Sequence, residues 1–179
     1  MTIVEDGQHK RPDIVLFVNG LPLVVLELKN ATNTKATCKQ AFQQLQTYQK
    51  AIPRLFVYNA LLVASDGLEA KAGTVSADWS RFSAWKAKDA HGLAPANETQ
   101  LKTLCASLLR PAHLLDVLRH FLVFEHAREG TVKKLAAYHQ FFAVRKAVAA
   151  TALAASVRGD KRAGVVWHTC TLPQIRSKL

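Results

Sequence analysis

Arg11-Pro12-Asp13-Ile14-Val15-Leu16-Phe17-Val18-Asn19-Gly20-Leu21-Pro22-Leu23-Val24-Val25-Leu26-Glu27-Leu28-Lys29 consists of two apolar, β-branched runs joined by Asn-Gly. Asn-Gly between alternating or continuous apolar runs is a strong short-range hairpin signal. The spacing predicts strands over 13–18 and 23–29. A three-residue turn between them would set Asp13 opposite Glu27. Glu27 and Lys29 are two apart and therefore share one face of their strand. Five apolar residues precede Glu27, so its carboxylate would be costly to bury unpaired, and a cation would relieve that cost. Two carboxylates can hold a hard divalent ion through oxygen. Such an ion stabilises charge on a phosphate and sharpens a water nucleophile, which a neighbouring ammonium can orient. On spacing alone, solvated strand ends and a Lys29 salt bridge explain the same residues.

The second apolar run reads as a strand buried on both faces, near the centre of a sheet. Working outward, 2–6 reads as a short strand and 7–10 as a turn. Thr34 is a candidate N-cap for a helix over 35–50, in which Ala41, Leu45 and Tyr48 share a face and Lys39, Gln43 and Gln46 another. After Pro53, strands are expected over 55–58 and 61–65. An edge strand is expected over 69–74, and a further strand over 81–85. The polar stretch 86–97 reads as loop, 98–109 and 111–120 as helices, and 122–125 as a strand. Residues 126–130 read as a linker, 133–158 as a long alanine-rich helix, and 164–168 as a final strand. Periodicity alone gives an α/β class with a mixed sheet.

Pro12-Asp13 with Glu27-Leu28-Lys29 resembles the catalytic centre of the PD-(D/E)xK nucleases. The wider run from Arg11 to Asn30 resembles the nuclease segment of the restriction (R) subunit of type I restriction enzymes. Gln44 and Tyr48 in Gln-Ala-Phe-Gln-Gln-Leu-Gln-Thr-Tyr match that family's Q-x-x-x-Y element. Ile52 to Asn59 and Leu61 to Gly67 look like its next strands. Gly164-Val165-Val166-Trp167-His168-Thr169 looks like the strand entering its ATP-binding loop. The resemblance implies a restriction-endonuclease-like core, a mixed central sheet flanked by helices, with a C-terminal helical extension. It implies a nuclease-like domain over 1–125, and over 126–179 a linker and the start of a helicase-like motor.

By that resemblance Asp13, Glu27 and Lys29 are catalytic, with Asp13 and Glu27 holding Mg²⁺ or Mn²⁺, aided by the Leu28 carbonyl. Gln44 and Tyr48 position the DNA backbone or the lysine; on spacing alone they are an amide-rich helix surface. Lys35, Lys39, Lys50 and Arg54 are candidate phosphate contacts or simply a solvated face. The implied reaction is hydrolysis of DNA phosphodiesters. The implied partners are double-stranded DNA and the modification and specificity subunits of a type I complex. The full-length family uses ATP to translocate DNA. Here Cys170-Thr171-Leu172-Pro173 follows Thr169 where the family has a Gly-Ser-Gly-Lys-Ser loop, so ATP is not expected to bind this chain. Tyr138-His139-Gln140 falls where the motor would read adenine, and without that loop a packing helix is the stronger reading.

The family's segment ahead of "PD" and its motor are expected to be missing. The abrupt loss of pattern after Thr169 suggests a frame change. The alternative function is therefore a catalytically silent DNA-binding or docking module. A stand-alone repair nuclease is disfavoured, since the 164–169 strand serves a motor.

The 179 residues carry 24 Lys and Arg against 13 Asp and Glu, a net charge of +11 that favours a polyanionic partner. Cys38, Cys105 and Cys170 lack any C-x-x-C spacing and read as buried thiols of a reducing, cytoplasmic setting. The histidines show no zinc-binding spacing. No signal peptide or membrane-spanning run is apparent, and no G-x-S-x-G or G-x-G-x-x-G occurs.

Overall fold

The computed structural model describes residues 1–30, 37–127, 130–162 and 164–165. Its centre is a five-stranded mixed sheet of order β3-β4-β5-β6-β7: Ile14–Val18, Leu21–Leu28, Leu61–Ser65, Ala70–Gly73 and Ser83–Ala84. A separate hairpin, β1 (Ile3–Glu5) and β2 (Gln8–Lys10), precedes it, and another, β8 (Leu122–Ala127) and β9 (Gly130–Leu135), follows. Helix α1 (Cys38–Ala51) connects β4 to the parallel β5. The later helices are α2 (Gln100–Ser107), α3 (Pro111–His120) and α4 (Tyr138–Ala155). This is the expected α/β architecture.

Strand β4 is buried from Val24 to Glu27, so both its faces are covered. Val24 and Leu26 join Leu61, Val63, Leu104, Leu108, Val117 and Phe141 on the α2–α4 side. Val25 joins Leu62, Ala64 and the inward stripe of α1, Cys38, Ala41, Leu45 and Tyr48, on the other. Even-numbered and odd-numbered residues of one strand thus feed two cores, as the period of two requires. Helix α1 starts at a reciprocal cap. Thr37 Oγ1 accepts from Gln40 N–H at 3.3 Å, and Gln40 Oε1 accepts from Thr37 N–H at 3.3 Å. The expected cap at Thr34 lies outside the described residues.

The hairpin turn differs from expectation. It has two residues, Asn19 and Gly20, both with positive φ (49° and 80°), which fits the turn that matches strand twist. Val18 pairs with Leu21 and Phe17 with Pro22, but Leu16 pairs with Val24. Leu23 is therefore the extra residue of a β-bulge. The bulge restores the one-residue offset that a three-residue turn would have supplied, so the register running through Ile14↔Leu26 brings Asp13 opposite Glu27 after all. Leu23's carbonyl is secured on the other side by Ala60 N–H at 2.8 Å and the Asn59 amide at 3.3 Å.

Other expectations are corrected. Residues 8–10 are a strand rather than part of a turn, paired Ile3↔Lys10 through Glu5↔Gln8. Pro53–Phe56 is a 3-10 turn, because Pro53 at its first position presets helical φ and only Leu55 and Phe56 are buried. β6 is interior and the edge is β7. In the stretch expected to be a linker, His126 and Ala127 end β8 and Gly130 begins β9, with the pair Ala127↔Gly130; the two residues between them lie outside the described residues. The expected helix over 133–158 is strand β9 followed by α4. Lys133 is bound into β9 by tertiary bonds: its N–H to Ser76 Oγ at 2.7 Å, its Nζ to the Asn59 carbonyl at 2.7 Å. Gly164 and Val165 are in no regular element, and the remainder of that expected strand lies outside the described residues.

Candidate active site

The site is built where β3 begins and β4 ends. Asp13 bends away just before β3, and its Oδ2 accepts from Leu28 N–H at 2.8 Å. Glu27 is the last fully enclosed residue of β4, 3% exposed, on the same face as Val25 and therefore towards α1. Lys29 follows on that face and donates from Nζ to Glu27 Oε1 at 2.7 Å. Its own backbone N–H goes to Ser65 O at 2.8 Å, which fixes the strand end against β5. The three predicted residues are thus gathered at one strand end.

Glu27 Oε2 is buried and has no hydrogen-bond partner. An orphaned buried acceptor costs about 1–3 kcal/mol, more when it is charged. Burial accordingly pushes the Glu27 carboxyl above its ordinary range; the Lys29 hydrogen bond and, more weakly, the nearby Tyr48 hydroxyl oppose that shift, and the Asp13 charge adds to it. A buried carboxylate with a second carboxylate beside it is a place where positive charge is wanted. Among the described residues no group of three or more His, Cys, Asp or Glu side chains gathers. A donor set of two carboxylates suits Mg²⁺, which keeps several waters and completes its shell with substrate phosphate.

A protein-family model for the N terminus of the type I restriction enzyme R protein matches residues 1–81, a span that contains the whole of this arrangement. Those residues belong to that family. The chain is 47% identical over 166 residues to the type I restriction enzyme HindI endonuclease subunit of Haemophilus influenzae, covering 91% of this chain and 16% of that protein. It is 34% identical over 183 residues to a provisionally named type I restriction enzyme MjaIXP endonuclease subunit of Methanocaldococcus jannaschii, covering 92% of this chain and 17% of that one. The chain therefore spans about one sixth of the length of these relatives.

Within this R-protein N-terminal region, Gln44 and Tyr48 both reach the site from α1. Tyr48 is 5% exposed, and its phenol donates to the Arg11 carbonyl at 3.3 Å. Burial, then the nearby Glu27 charge, push its hydroxyl up to about 12; the Gln44 side chain pulls the other way. Tyr48 thus stands behind the carboxylates and braces the segment that carries Asp13. Gln44 is half-buried on the same helix face. Lys39 and Lys50 are exposed on α1, whereas Arg54 is engaged with the buried Glu5, Nε to Oε1 at 3.6 Å. Lys35 lies outside the described residues.

Pro12 and the Leu28 carbonyl entered the sequence reading through the resemblance alone. The register could have found them, since continuing Ile14↔Leu26 outward sets Pro12 across from Leu28. The cysteine expectation is corrected in part. Cys38 is buried, with Sγ 2.9 Å from the Ala64 carbonyl and its thiol pushed up to about 11 chiefly by burial, but Cys105 is exposed. Cys170 is outside the described residues. His113 is a packing residue, with Nδ1 3.0 Å from the Ser107 carbonyl and its ring against Phe141 and Phe142. His139 is half-buried beside Tyr138. Among the described residues no helix is long and apolar enough to cross a membrane.

Proposed function

We propose that this chain is the nuclease module of a type I restriction R subunit and hydrolyses DNA phosphodiesters with a divalent metal, Mg²⁺ or Mn²⁺. The observation that carries the reading is the buried, half-satisfied Glu27, held beside Asp13 and Lys29. Asp13 and Glu27 would hold the metal, with the Leu28 carbonyl as a third oxygen. The metal would supply charge stabilisation on the scissile phosphate and a more acidic water.

The chain's own groups do the remaining work. Lys29, steadied on Glu27 Oε1, presents a compact ammonium that orients the attacking water and stabilises the negative charge it acquires. Gln44 would donate to a backbone phosphate, a contact that fixes register without reading sequence. Tyr48 keeps Arg11 to Asp13 in place from behind. The net charge of +11 favours a long polyanion. PD-(D/E)xK chemistry, partnership with modification and specificity subunits, and ATP-driven translocation by the remaining length of the full subunit complete this reading, as does the division at 125/126 between nuclease and motor.

The test is nicking of supercoiled plasmid by the purified chain in Mg²⁺ or Mn²⁺, with E27A and D13A alongside. Metal-dependent nicking that both substitutions abolish supports the reading. DNA binding without cutting, indistinguishable in E27A, would make the chain a silent binding or docking module instead.

A further inference from the structure

We infer that Pro12 is a positioning residue, whose missing N–H keeps the backbone end of β4 open for a cation; the inference rests on the metal-dependent reading above. The register Ile14↔Leu26, carried outward by two residues, pairs position 12 with Leu28. In an antiparallel ladder the two residues of a hydrogen-bonded pair exchange both N–H···O=C bonds. Leu28 directs its N–H towards the β3 side, because that N–H reaches Asp13 Oδ2 at 2.8 Å, whereas the next residue, Lys29, directs its N–H the other way to Ser65. In extended backbone the N–H and C=O of one residue point the same way, so Leu28's carbonyl also faces the β3 side.

An ordinary residue at position 12 would donate to that carbonyl and continue the ladder. Proline has no N–H to give. The chain bends at Asp13, Pro12 is buried there, and the Asp13 carboxylate takes the Leu28 N–H that the position-12 carbonyl would otherwise accept. One substitution of donor type thus delivers two results: the carboxylate is pinned at the strand end, and the Leu28 oxygen beside it receives no ladder N–H from position 12. The Tyr48 bond to the Arg11 carbonyl holds the displaced segment from the α1 side.

The full chain is compared with Pro12→Ala and with Pro12→N-methylalanine, which lacks both the ring and the N–H. The latter is assembled by joining a synthetic 1–37 segment to the rest at Cys38. Mn²⁺ affinity is read by calorimetry. In metal-free Pro12→Ala, the new amide at position 12 is followed by hydrogen exchange and by its cross-hydrogen-bond coupling to the Leu28 carbonyl. The expected result is a slowly exchanging amide coupled to Leu28, with Mn²⁺ affinity lowered roughly tenfold, as for loss of a supporting contact around a metal site. N-methylalanine should retain the affinity of the unaltered chain.

An unprotected amide at position 12, or equal loss in the N-methyl variant, would overturn the inference, the second outcome assigning the effect to ring packing. Full Mn²⁺ affinity in Pro12→Ala would overturn it too, while leaving the hydrolase reading intact. Failure of the unaltered chain to bind Mn²⁺ would remove that reading, and this inference with it.

Discussion

Glu27 and Glu98 are both nearly enclosed glutamates beside a lysine, and the protein treats them in opposite ways. The Glu98 side chain, 9% exposed, has every demand met: Lys88 Nζ at 2.6 Å and Lys102 Nζ at 3.5 Å on Oε2, Thr103 Oγ1 at 2.9 Å on Oε1. These donors, the Lys88 bond foremost, hold its carboxyl below the ordinary carboxylate range. Glu27 is more deeply buried, has Lys29 hydrogen-bonded to one oxygen and no hydrogen-bond partner on the other, with the Tyr48 hydroxyl nearby, and its carboxyl is shifted upward by burial. Glu98 ties the loop after β7 to the start of α2 and is satisfied by the fold itself. Glu27 is left with a need that the fold does not meet. Under the proposed reading, that unmet need is what the metal fills.

The largest difference between the two should appear in turnover. E27Q is expected to lose at least about a hundredfold of metal-dependent cleavage, the scale for removing one preorganised electrostatic contact, whereas E98Q should cut normally; plasmid nicking rates decide this. Equal losses in both would erase the contrast. K29R comes next. A broad guanidinium cannot replace a compact ammonium, and loss of roughly a hundredfold is expected where proton handling is impaired. DNA affinity should be unchanged, and an active K29R would reduce Lys29 to a plain salt-bridge partner.

Stability against pH sharpens the comparison without any substrate. Glu27's folded pKa lies above its ordinary 4.5, so its contribution to metal-free stability is full below that value and is lost as pH rises through the folded pKa. Glu98's lies below 4.5, so its contribution is present above that value and is lost as pH falls through the folded pKa. Thermal melts should therefore show E27Q gaining on the unaltered chain as pH rises from about 4 to about 8. E98Q should lose over the same range. The same sign in both would contradict the assignment. Y48F should have the smallest effect, about 1 kcal/mol of stability for one hydrogen bond to a carbonyl. Its cleavage should fall modestly in kcat rather than in DNA affinity, because the phenol faces Arg11 and Glu27 and not the solvent.

Much of this arrangement was legible in the residues themselves. Asn19-Gly20 announced the hairpin, the run Leu23 to Leu26 announced a doubly buried strand, and the i, i+2 spacing announced that Glu27 and Lys29 share a face. The α1 stripe of Ala41, Leu45 and Tyr48 followed from helical period. What escaped depended on partners distant in sequence. The bulge at Leu23 is fastened by Asn59 and Ala60, and nothing in the hairpin's own composition specifies it. β9 carries lysines that would suit a helix surface, and it is a strand because Ser76, Thr74 and Asn59 engage Lys133. The direction of the Tyr48 hydroxyl likewise could not come from spacing, which places a residue on a face without saying which atom it meets.

The bulge at Leu23 makes the hairpin a parity counter. Facing in a strand alternates residue by residue, so slipping the β3–β4 pairing by one residue would put Asp13 and Glu27 on opposite sides of the sheet. Residues added at Asn19-Gly20 would only lengthen the loop, because the pairs from Val18↔Leu21 to Ile14↔Leu26 can stay in place. A residue inserted between Val24 and Glu27 would carry the glutamate one step along the ribbon and turn it away from Asp13, so a one-residue length change there should be far less tolerated than one at the hairpin tip.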